Sequence, residues 1–351
     1  MKKIEEIDKN LKVVQACDGG MVYHNVLEPP FSLYGVFYED GKFVRMPAAV
    51  AATVNEGVAG LFDNTAGGRI RFSTDSRKIS IRVGWRDTGF MHHMSVVGQA
   101  GFDLYVDCGE GEVFYKSFIP PADTKGGYTS QIIDVWMKGN RTFTVNFPLY
   151  HNVSSLEIGL EADASLGEPT PYKDVLPMVY YGSSITQGGC ASRPGNSYQG
   201  FISRHYNVDY INLGFSGSAR GEEKIARYIA SLDMSLFVLD YDHNTPSYEH
   251  LVATHEPFFR IIREAHPTMP IIIMSRPAMY SYVDDLKTRE GVIKKTYLNA
   301  REAGDENVYF IDGKELYEIC GAEGTVDGTH PTDLGFFSMA ERLIKEIDKF
   351  M

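Results

Sequence analysis

The sequence of 351 residues predicts two domains, a β-sandwich or jelly roll followed by an α/β domain built on a parallel sheet. Two observations lead to this prediction. In the first half, apolar and polar residues alternate over short runs, as they do in strands with one buried face. In the second half, continuous apolar runs alternate with amphipathic helical patterns, which is typical of a parallel sheet covered by helices on both faces.

The predicted strands of the first domain are short, and turns rich in glycine separate them. Many such strands at close spacing favour a sandwich or jelly roll, which we place at residues 1–165. The first 60 residues are less regular, and we expect only further strands and loops there. The alternating runs lie at residues 68–86, 101–118, 141–150 and 154–162.

The alternation ends in the segment ADASLGEPTPYKDVLP, which contains three prolines and no periodic pattern. This composition is typical of an irregular connection between domains. We therefore predict a linker at residues 166–176 and a second domain at residues 177–351.

Apolar runs in the second domain have the composition of buried parallel strands, and helical patterns follow or separate them. In sheets of this kind, ligands bind beyond the carboxyl ends of the strands, so we expect the functional residues there. The strand runs are VLPMVYYG, VDYINLG, SLFVLDY, PIIIMS and NVYFI, and the helical patterns are SYQGFISRHY, EEKIARYIASL, HLVATHEPFFRIIREAH, DDLKTREGVIKKTYLNAREA and DLGFFSMAERLIKEIDKF.

The composition narrows the classes of partner and location. The formal net charge of -12 and the pI near 5.3 argue against nucleic acid or an anionic membrane as a partner, because both favour basic surfaces. No run reaches the roughly 18 apolar residues of a membrane span, and the N-terminus lacks the apolar core of a secretory signal. Cys17, Cys108, Cys190 and Cys320 are scattered without a CxxC spacing, which favours reduced thiols and a cytoplasmic location.

Small or polar residues occupy four places where a site could form at this edge of the sheet. The first strand continues into GSSITQG at residues 182–188, and the second ends in NLGFSG at residues 212–217. The third ends in DYDHN at residues 240–244, and VDGTHP at residues 326–331 precedes the last helix. Each pattern alone is also typical of a turn or a helix cap.

Together and in this order, the four blocks resemble the SGNH hydrolases, the GDSL-type esterase/lipase superfamily. Ser184 stands in the nucleophile position of that family, Gly217 matches its glycine and Asn244 its asparagine. Asp327 and His330 match its D-x-x-H block. The resemblance implies a flavodoxin-like parallel sheet with helices on both faces.

The first half carries a second resemblance. Residues 101–105, with the sequence GFDLY, resemble the GxDLY signature of a β domain that precedes some SGNH esterases. The two resemblances together cover nearly the whole chain.

Two blocks depart from the family pattern. Ser183 stands where the family has the aspartate of GDS, which makes Ser183 a second candidate for the nucleophile. The third block offers Asn244 after a slightly longer loop, or Asp242 at the aligned offset. We favour Asn244, because a neutral amide can donate a hydrogen bond to an oxyanion and a carboxylate cannot.

The resemblance implies a catalytic triad in which Ser184 attacks, His330 takes its proton and Asp327 fixes the imidazole. It also implies an oxyanion hole formed by the backbone N–H groups of Ser184 and Gly217 and by the Asn244 side chain. This chemistry requires neither a metal nor an organic cofactor.

Further residues near the first and fourth strand ends are candidates for the substrate pocket: Gln187, Arg193 and Arg276. The adjacent His92 and His93 would point to opposite faces of a strand, so we expect no metal site that uses both.

The implied function is that of a serine esterase which removes a small acyl group, such as acetyl, from a carbohydrate or a similar polar ester. A carbohydrate is favoured because the family includes sugar deacetylases and the β domain resembles sugar-binding sandwiches. Two alternatives stay open: an acyltransferase with the same acyl-serine intermediate, and a non-catalytic carbohydrate-binding protein on a decayed hydrolase scaffold. Assembly into a homo-oligomer also stays open.

Overall fold

In the computed structural model, two antiparallel sheets pack face to face in the first half of the chain, and a parallel sheet lies between helices in the second half. The structure describes residues 4–8, 20–86, 89–107, 109, 111–121, 124–277 and 284–351. Cys17 and Cys108 lie outside the described residues. Within those residues, no helix has the length and apolar character that a membrane crossing requires.

The β domain is a sandwich whose core lies between its two sheets. Ile81 and Ile158 of one sheet belong to the same fully buried cluster as Phe72 and Phe143 of the other. The domain contains strands β1 (Met21–Asn25), β2 (Ser32–Tyr34), β3 (Phe37–Glu39), β4 (Lys42–Val44), β5 (Arg69–Thr74), β6 (Lys78–Gly84), β7 (Phe102–Asp107), β8 (Glu112–Phe118), β9 (Gly127–Thr129), β10 (Ile133–Asp134), β11 (Arg141–Asn146), β12 (Ser155–Glu161) and β13 (Leu166–Gly167).

The paired strands of both sheets in the β domain run antiparallel. One sheet has the order β1-β12-β6-β10, with β9 also paired to β6. The other has the order β13-β5-β11-β7-β8, with β2 paired to β5, and β3 and β4 form a separate hairpin. Because β13 pairs with β5, the sandwich extends two residues into the segment that we predicted as the linker.

The early part of the chain differs from the prediction of strands and loops alone. It contains helices at Ala48–Val54 and Glu56–Leu61, which follow a short helix at Ile4–Ile7. The two helices are separated by Asn55, whose side chain accepts a hydrogen bond from the Val58 N–H and so caps the second helix. Both helices are short and pack on the α/β domain, so neither shows a long periodic pattern in the sequence.

The helices in the described part of the chain are α1 (Ile4–Ile7), α2 (Ala48–Val54), α3 (Glu56–Leu61), α4 (Val96–Ala100), α5 (Ser184–Gln187), α6 (Tyr198–Tyr206), α7 (Glu223–Ala230), α8 (Tyr248–Ala265), α9 (Asp284–Glu302) and α10 (Asp333–Ile347). Short 3-10 turns occur at Pro194–Asn196, Asp242–Asn244, Gly313–Tyr317 and Gly321–Gly324.

The second domain has the predicted parallel sheet, with the order β15-β14-β16-β17-β18. This is the 2-1-3-4-5 order of flavodoxin-like folds, so the predicted fold class is confirmed. The strands are β14 (Met178–Gly182), β15 (Tyr210–Gly214), β16 (Leu236–Asp240), β17 (Ile271–Met274) and β18 (Val308–Ile311).

Both faces of this sheet are buried, which explains the continuous apolar runs. Along β16, Phe237 and Leu239 join the core cluster that contains α7 and α8. The alternate residues Leu236 and Val238 join the cluster on the opposite face, which contains α6 and α10. A strand with two buried faces shows no alternation of apolar and polar residues, whereas the strands of the sandwich show it.

The register of the sheet brings three strand ends together. Gly182 at the end of β14 pairs with Gly214 at the end of β15 and with Asp240 at the end of β16. The loops that leave these strands therefore begin side by side, with the β14 loop in the middle.

The two domains share a buried interface. Arg45, which follows β4, is 2% exposed and donates hydrogen bonds to the carbonyl oxygens of Asn212 (3.1 Å) and Gly214 (2.6 Å) at the end of β15. Nearby residues of the first half, including Val44 and Met46, belong to the core cluster of the α/β domain. The β domain therefore supports the edge of the sheet where the loops converge.

Candidate active site

The turn after β14 presents one serine and buries the other. Ser183 is fully buried, and its Oγ accepts a hydrogen bond from the Ile185 N–H (3.2 Å), so it caps α5. Ser184 is the first residue of α5 and is half-buried. Gly182 permits this turn, because a Cβ there would lie 2.1 Å from the Asp240 carbonyl oxygen.

Three side chains form a continuous hydrogen-bonded chain at this turn. The Oγ of Ser184 lies 2.9 Å from Nε2 of His330, and Nδ1 of His330 lies 2.8 Å from Oδ2 of Asp327. Ser184 is thus the serine that reaches the histidine, while the hydroxyl of Ser183 is engaged in its cap. An imidazole held between a hydroxyl and a carboxylate is the arrangement that general-base activation of a serine requires.

Asp327 is held in its ionised form. Its partial burial acts to raise the pKa, but hydrogen bonds outweigh this effect and lower the pKa to about 2. Oδ1 accepts the N–H groups of His330 (2.8 Å) and Thr329 (3.0 Å), and Oδ2 accepts the imidazole. The carboxylate therefore fixes both the loop and the orientation of the ring.

The loop that carries His330 is fastened on two sides. Its own ends are joined by a hydrogen bond from the Val326 N–H to the His330 carbonyl oxygen (2.9 Å). The Pro331 carbonyl oxygen accepts the Cys190 N–H (3.1 Å), which ties the loop to the segment that follows α5. The imidazole is therefore positioned by backbone contacts as well as by Asp327.

Three hydrogen-bond donors lie on the converging loops. The Ser184 N–H is the first of α5, and the Gly217 N–H belongs to a turn in which Gly217 has φ +65°; neither has an acceptor among the described residues. Asn244 lies in the 3-10 turn after β16, and its Nδ2 donates to the Phe215 carbonyl oxygen (3.0 Å). One amide hydrogen of Asn244 thereby orients the side chain, and the second is left for another acceptor.

Asp242, the alternative to Asn244, lies deeper than Asn244 does. It is 1% exposed, and its Oδ2 accepts the N–H of Arg276 (3.1 Å). The side chain of Arg276 also faces this carboxylate, with 3.8 Å between Nε and Oδ1. Asp242 thus supports the loop after β17, and Arg276 lies half-buried beside the converging loops.

Gln187 and Arg193, which we predicted as pocket residues, belong to the domain interface. Gln187 is fully buried, donates to Asn64 Oδ1 and the Leu149 carbonyl oxygen (both 3.1 Å), and accepts the Ser216 N–H (2.9 Å). Because the side chain is fully buried and both of its polar atoms are bonded to protein groups, these contacts indicate a structural role.

Arg193 makes its contacts with the GxDLY segment. Its Nη1 donates to Asp103 Oδ2 (2.9 Å) and to the Tyr105 hydroxyl, and its guanidinium lies 3.7 Å from the centre of the Phe114 ring. The same Asp103 oxygen accepts the Gly195 N–H (2.8 Å). These contacts indicate that Arg193 joins the domains, because Asp103, Tyr105 and Phe114 all belong to the β domain.

The β domain also reaches the site with two residues that the sequence analysis did not assign to it. The Tyr150 hydroxyl donates to the carbonyl oxygen of Ser184 (3.1 Å). The His93 ring centre lies 5.4 Å from that of His330, and its Nε2 lies 4.0 Å from Asp327 Oδ2. His93 lies in a turn, not in the strand on which our expectation for His92 and His93 depended. No pattern in the sequence connects Tyr150 or His93 to this site, since the contacts depend on how the domains dock.

Comparison with known proteins agrees with the fold in both halves. The profile of the GDSL-like Lipase/Acylhydrolase family matches residues 176–348. The GxDLY profile, described as the N-terminus of Esterase_SGNH_hydro-type, matches residues 21–166. No curated protein sequence matches the chain at a significant level.

Several solved structures resemble the chain over most of its length. A Bacteroides ovatus protein described as a GDSL-like lipase is 30% identical, with 94% of this chain and 97% of that chain covered and a TM-score of 0.85. Salicylyl-acyltransferase SsfX3 from a tetracycline biosynthetic pathway is 22% identical (94% and 98% covered, TM-score 0.77). A family two carbohydrate esterase from Clostridium thermocellum, in complex with cellohexaose, is 16% identical (81% and 92% covered, TM-score 0.57). The last two show similarity of fold.

Proposed function

Because the chain belongs to the GDSL-like lipase/acylhydrolase family, we propose that it is a serine esterase which removes a small acyl group, such as acetyl, from a carbohydrate or a similar polar ester. The observation that carries the proposal is the unbroken chain of hydrogen bonds from Ser184 Oγ through His330 to Asp327. A serine is a weak nucleophile without such a base, and the chain supplies one.

In the proposed reaction, Ser184 Oγ attacks the ester carbonyl carbon while His330 Nε2 takes the hydroxyl proton. Asp327 keeps Nδ1–H in place and offsets the positive charge of the ring. The tetrahedral intermediate collapses, His330 returns the proton to the leaving alcohol, and an acyl-serine remains. A water molecule, deprotonated by the same Nε2, then attacks the acyl-serine and releases the carboxylic acid and free Ser184.

The oxyanion of the intermediate would accept hydrogen bonds from the N–H groups of Ser184 and Gly217 and from Asn244 Nδ2. The support for this assignment is that both N–H groups lack an acceptor among the described residues and that Asn244 has a second amide hydrogen. Fixed donors of this kind stabilise developing charge without reorganisation during the reaction.

The polar character of the substrate is supported by the rim of the site. Asp327 is 36% exposed and His330 22% exposed, and Arg276 lies beside the converging loops. The fold shared with a carbohydrate esterase in complex with cellohexaose is consistent with a sugar ester. We keep Arg276 as a candidate contact for the hydroxyl groups of the substrate.

We also propose that the protein acts in the cytoplasm and binds neither nucleic acid nor a membrane surface. The described cysteines, Cys190 and Cys320, are free thiols, which suits a reducing compartment. The net charge of -12 is unfavourable for binding to phosphate-rich surfaces.

Hydrolysis of p-nitrophenyl acetate and of a longer-chain ester tests the proposal, with Ser184→Ala beside the matched control Ser183→Ala. We expect Ser184→Ala to lose roughly 10³-fold or more of kcat/KM, because it removes the nucleophile. Ser183→Ala loses a helix cap, which costs about 1 kcal/mol of stability and leaves the nucleophile in place. A preference for the acetyl ester is expected.

Three other outcomes would overturn parts of the proposal. Loss of activity in Ser183→Ala alone would move the nucleophile to Ser183. Transfer of the acyl group to an added alcohol in preference to water would identify an acyltransferase. The absence of turnover on nitrophenyl esters and on acetylated sugars, together with binding of sugars, would favour the non-catalytic protein.

A further inference from the structure

Three side chains of the kinds that bind zinc converge beside Ser184. A ring nitrogen of His93, the Sγ of Cys190 and a ring nitrogen of His330 all lie within 4.8 Å of one another. They come from three separate segments: a turn of the β domain, the segment after α5, and the loop before α10. Neither His93 nor Cys190 has a part in the proposed esterase reaction.

We propose that His93, Cys190 and His330 form a binding site for Zn²⁺, and that an ion bound there withdraws His330 from Ser184 and reversibly inhibits the enzyme. Binding of the ion depends only on the three ligands. Its inhibitory effect rests on the proposed esterase function.

The ligand set suits zinc in kind and in geometry. Zinc in proteins is bound by cysteine sulfur and histidine nitrogen in a tetrahedron, with bonds that place ligand atoms about 3.3–3.6 Å apart. Ligand atoms within 4.8 Å of one another need side-chain movements of about 1 Å to reach that spacing. Three protein ligands leave the fourth position to water. Soft thiolate and imidazole ligands disfavour Mg²⁺ and Ca²⁺ at this place.

Asp327 already supplies the outer partner that a zinc-bound histidine normally has. Its Oδ2 accepts Nδ1–H of His330 at 2.8 Å, which leaves Nε2 as the ring nitrogen with a free electron pair. The same oxygen lies 4.0 Å from Nε2 of His93, so an ionised carboxylate faces the site from the side and favours a cation there. A bound ion would therefore be stabilised by the Asp327 carboxylate, which the triad already holds beside both histidines.

Cys190 is inert without a metal and becomes a ligand with one. It is 7% exposed, and burial, together with the negative charge of Asp327, raises the pKa of its thiol to about 12. The thiol is therefore protonated near neutral pH. Zinc binding replaces the S–H bond with an S–Zn bond and releases the proton to solvent.

The ion and the substrate reaction compete for one electron pair. In the zinc-free enzyme, the lone pair of His330 Nε2 accepts the Ser184 hydroxyl proton. In the zinc form the same lone pair binds the ion, and Ser184 has no base. The predicted inhibition is therefore complete at saturation and is reversed by a chelator.

Binding is tested first, without reference to activity, by titrating the metal-free full-length protein with Co²⁺ as a spectroscopic substitute for zinc. We expect visible bands of tetrahedral Co²⁺ and a near-ultraviolet thiolate-to-cobalt band, both removed by excess Zn²⁺. Cys190→Ser should abolish the thiolate band, and His93→Gln should weaken binding at least about tenfold. The matched controls Cys320→Ser and His92→Gln should bind as the natural protein does.

Inhibition is tested with p-nitrophenyl acetate at increasing Zn²⁺. His93→Gln should keep its zinc-free kcat/KM while its half-inhibitory zinc concentration rises at least about tenfold, and EDTA should restore the natural enzyme. His93 is 38% exposed, so this variant is expected to fold and can decide the question even if Cys190→Ser does not.

The outcomes separate this inference from the proposed function. Equal Co²⁺ and Zn²⁺ affinity in His93→Gln, or a cobalt spectrum without a thiolate band, would overturn the site. A protein that binds Co²⁺ as expected but hydrolyses no ester would retain the site and refute the esterase. An enzyme that is active and binds no Co²⁺ would refute the site and retain the esterase.

Discussion

At the scale of single residues, Ser183 and Ser184 have opposite environments although they are neighbours in the chain. The hydroxyl of Ser183 accepts a hydrogen bond from the N–H of Ile185, and the hydroxyl of Ser184 faces His330. The difference arises because a helix begins between them, which makes one residue the cap and the other the first helical position. The N–H of Ser184 is thereby freed at the same point.

We predict that Asn244→Ala lowers kcat by about 10²- to 10³-fold with little change in KM, because an oxyanion donor acts in the transition state and not in substrate binding. The variant also loses the hydrogen bond to the Phe215 carbonyl oxygen, which should cost about 1 kcal/mol of stability. Steady-state kinetics and urea unfolding measure the two effects separately. A kcat within a factor of about two of the natural enzyme would exclude Asn244 as an oxyanion donor.

Sequence patterns were informative for residues whose partners are local and misleading for residues whose partners are distant. Asp327 and His330 are three positions apart in one block, and the resemblance of that block to the family implied their pairing. Gln187 binds Asn64 and Leu149, which lie in the other domain, so its position beside the nucleophile suggested a pocket role that its contacts contradict. No spacing in one block can indicate which side chains another domain will bring to it.

At the scale of secondary-structure elements, the strand ends and loops were predictable because a buried parallel strand has a distinctive composition. The apolar runs identified β14 to β18, and the rule that ligands bind beyond their carboxyl ends located the site. Helices α2 and α3 were missed because each is only two turns or less and depends on packing against the α/β domain.

We predict that Asp103→Ala, in strand β7, lowers the free energy of unfolding by about 3–5 kcal/mol, because it removes one partner of a buried ion pair. Asp103 is fully buried and accepts hydrogen bonds from Arg193, Gly195 and Asn146. The matched control is Asp107→Ala in the same strand, where the carboxylate accepts the N–H of Gly109 at the surface and the expected loss is below about 1 kcal/mol.

Urea unfolding of the two aspartate variants makes the comparison. Equal losses in both would mean that the contacts of Asp103 across the domains add nothing to stability. A large loss in Asp103→Ala and a smaller one in Asp103→Asn is the expected order, since an amide oxygen can still accept one of the hydrogen bonds.

At the scale of the whole molecule, we predict that stability falls as the pH drops below about 6.5. Burial lowers the pKa of His255 from 6.5 to about 3, and its Nδ1 lies 2.8 Å from the Thr296 hydroxyl. Between these two values the unfolded chain binds a proton that the folded chain does not. His255 therefore contributes full stability above pH 6.5, and this contribution declines by up to about 1.4 kcal/mol per pH unit towards pH 3.

Urea unfolding at about pH 7 and about pH 5 measures this effect. The variant His255→Gln should lose less free energy of unfolding between the two pH values than the natural protein does. The variant His205→Gln, at an exposed position, should lose as much as the natural protein. An unchanged loss in His255→Gln would mean that other groups cause the acid sensitivity. The lowered pKa of Asp327 affects stability between about pH 3.8 and pH 2, below the range that is compared here.

The buried interface between the two domains limits how either half of such a chain can be recombined with other domains. Val44 and Met46 complete the core of the second half, and Arg45 supplies donors to carbonyl groups at the end of β15. A recombination event that joined the second half to a different N-terminal domain would expose that core and leave those carbonyl groups without hydrogen-bond donors. A new N-terminal domain would therefore have to supply both the apolar side chains and the buried donors that Val44, Met46 and Arg45 supply here.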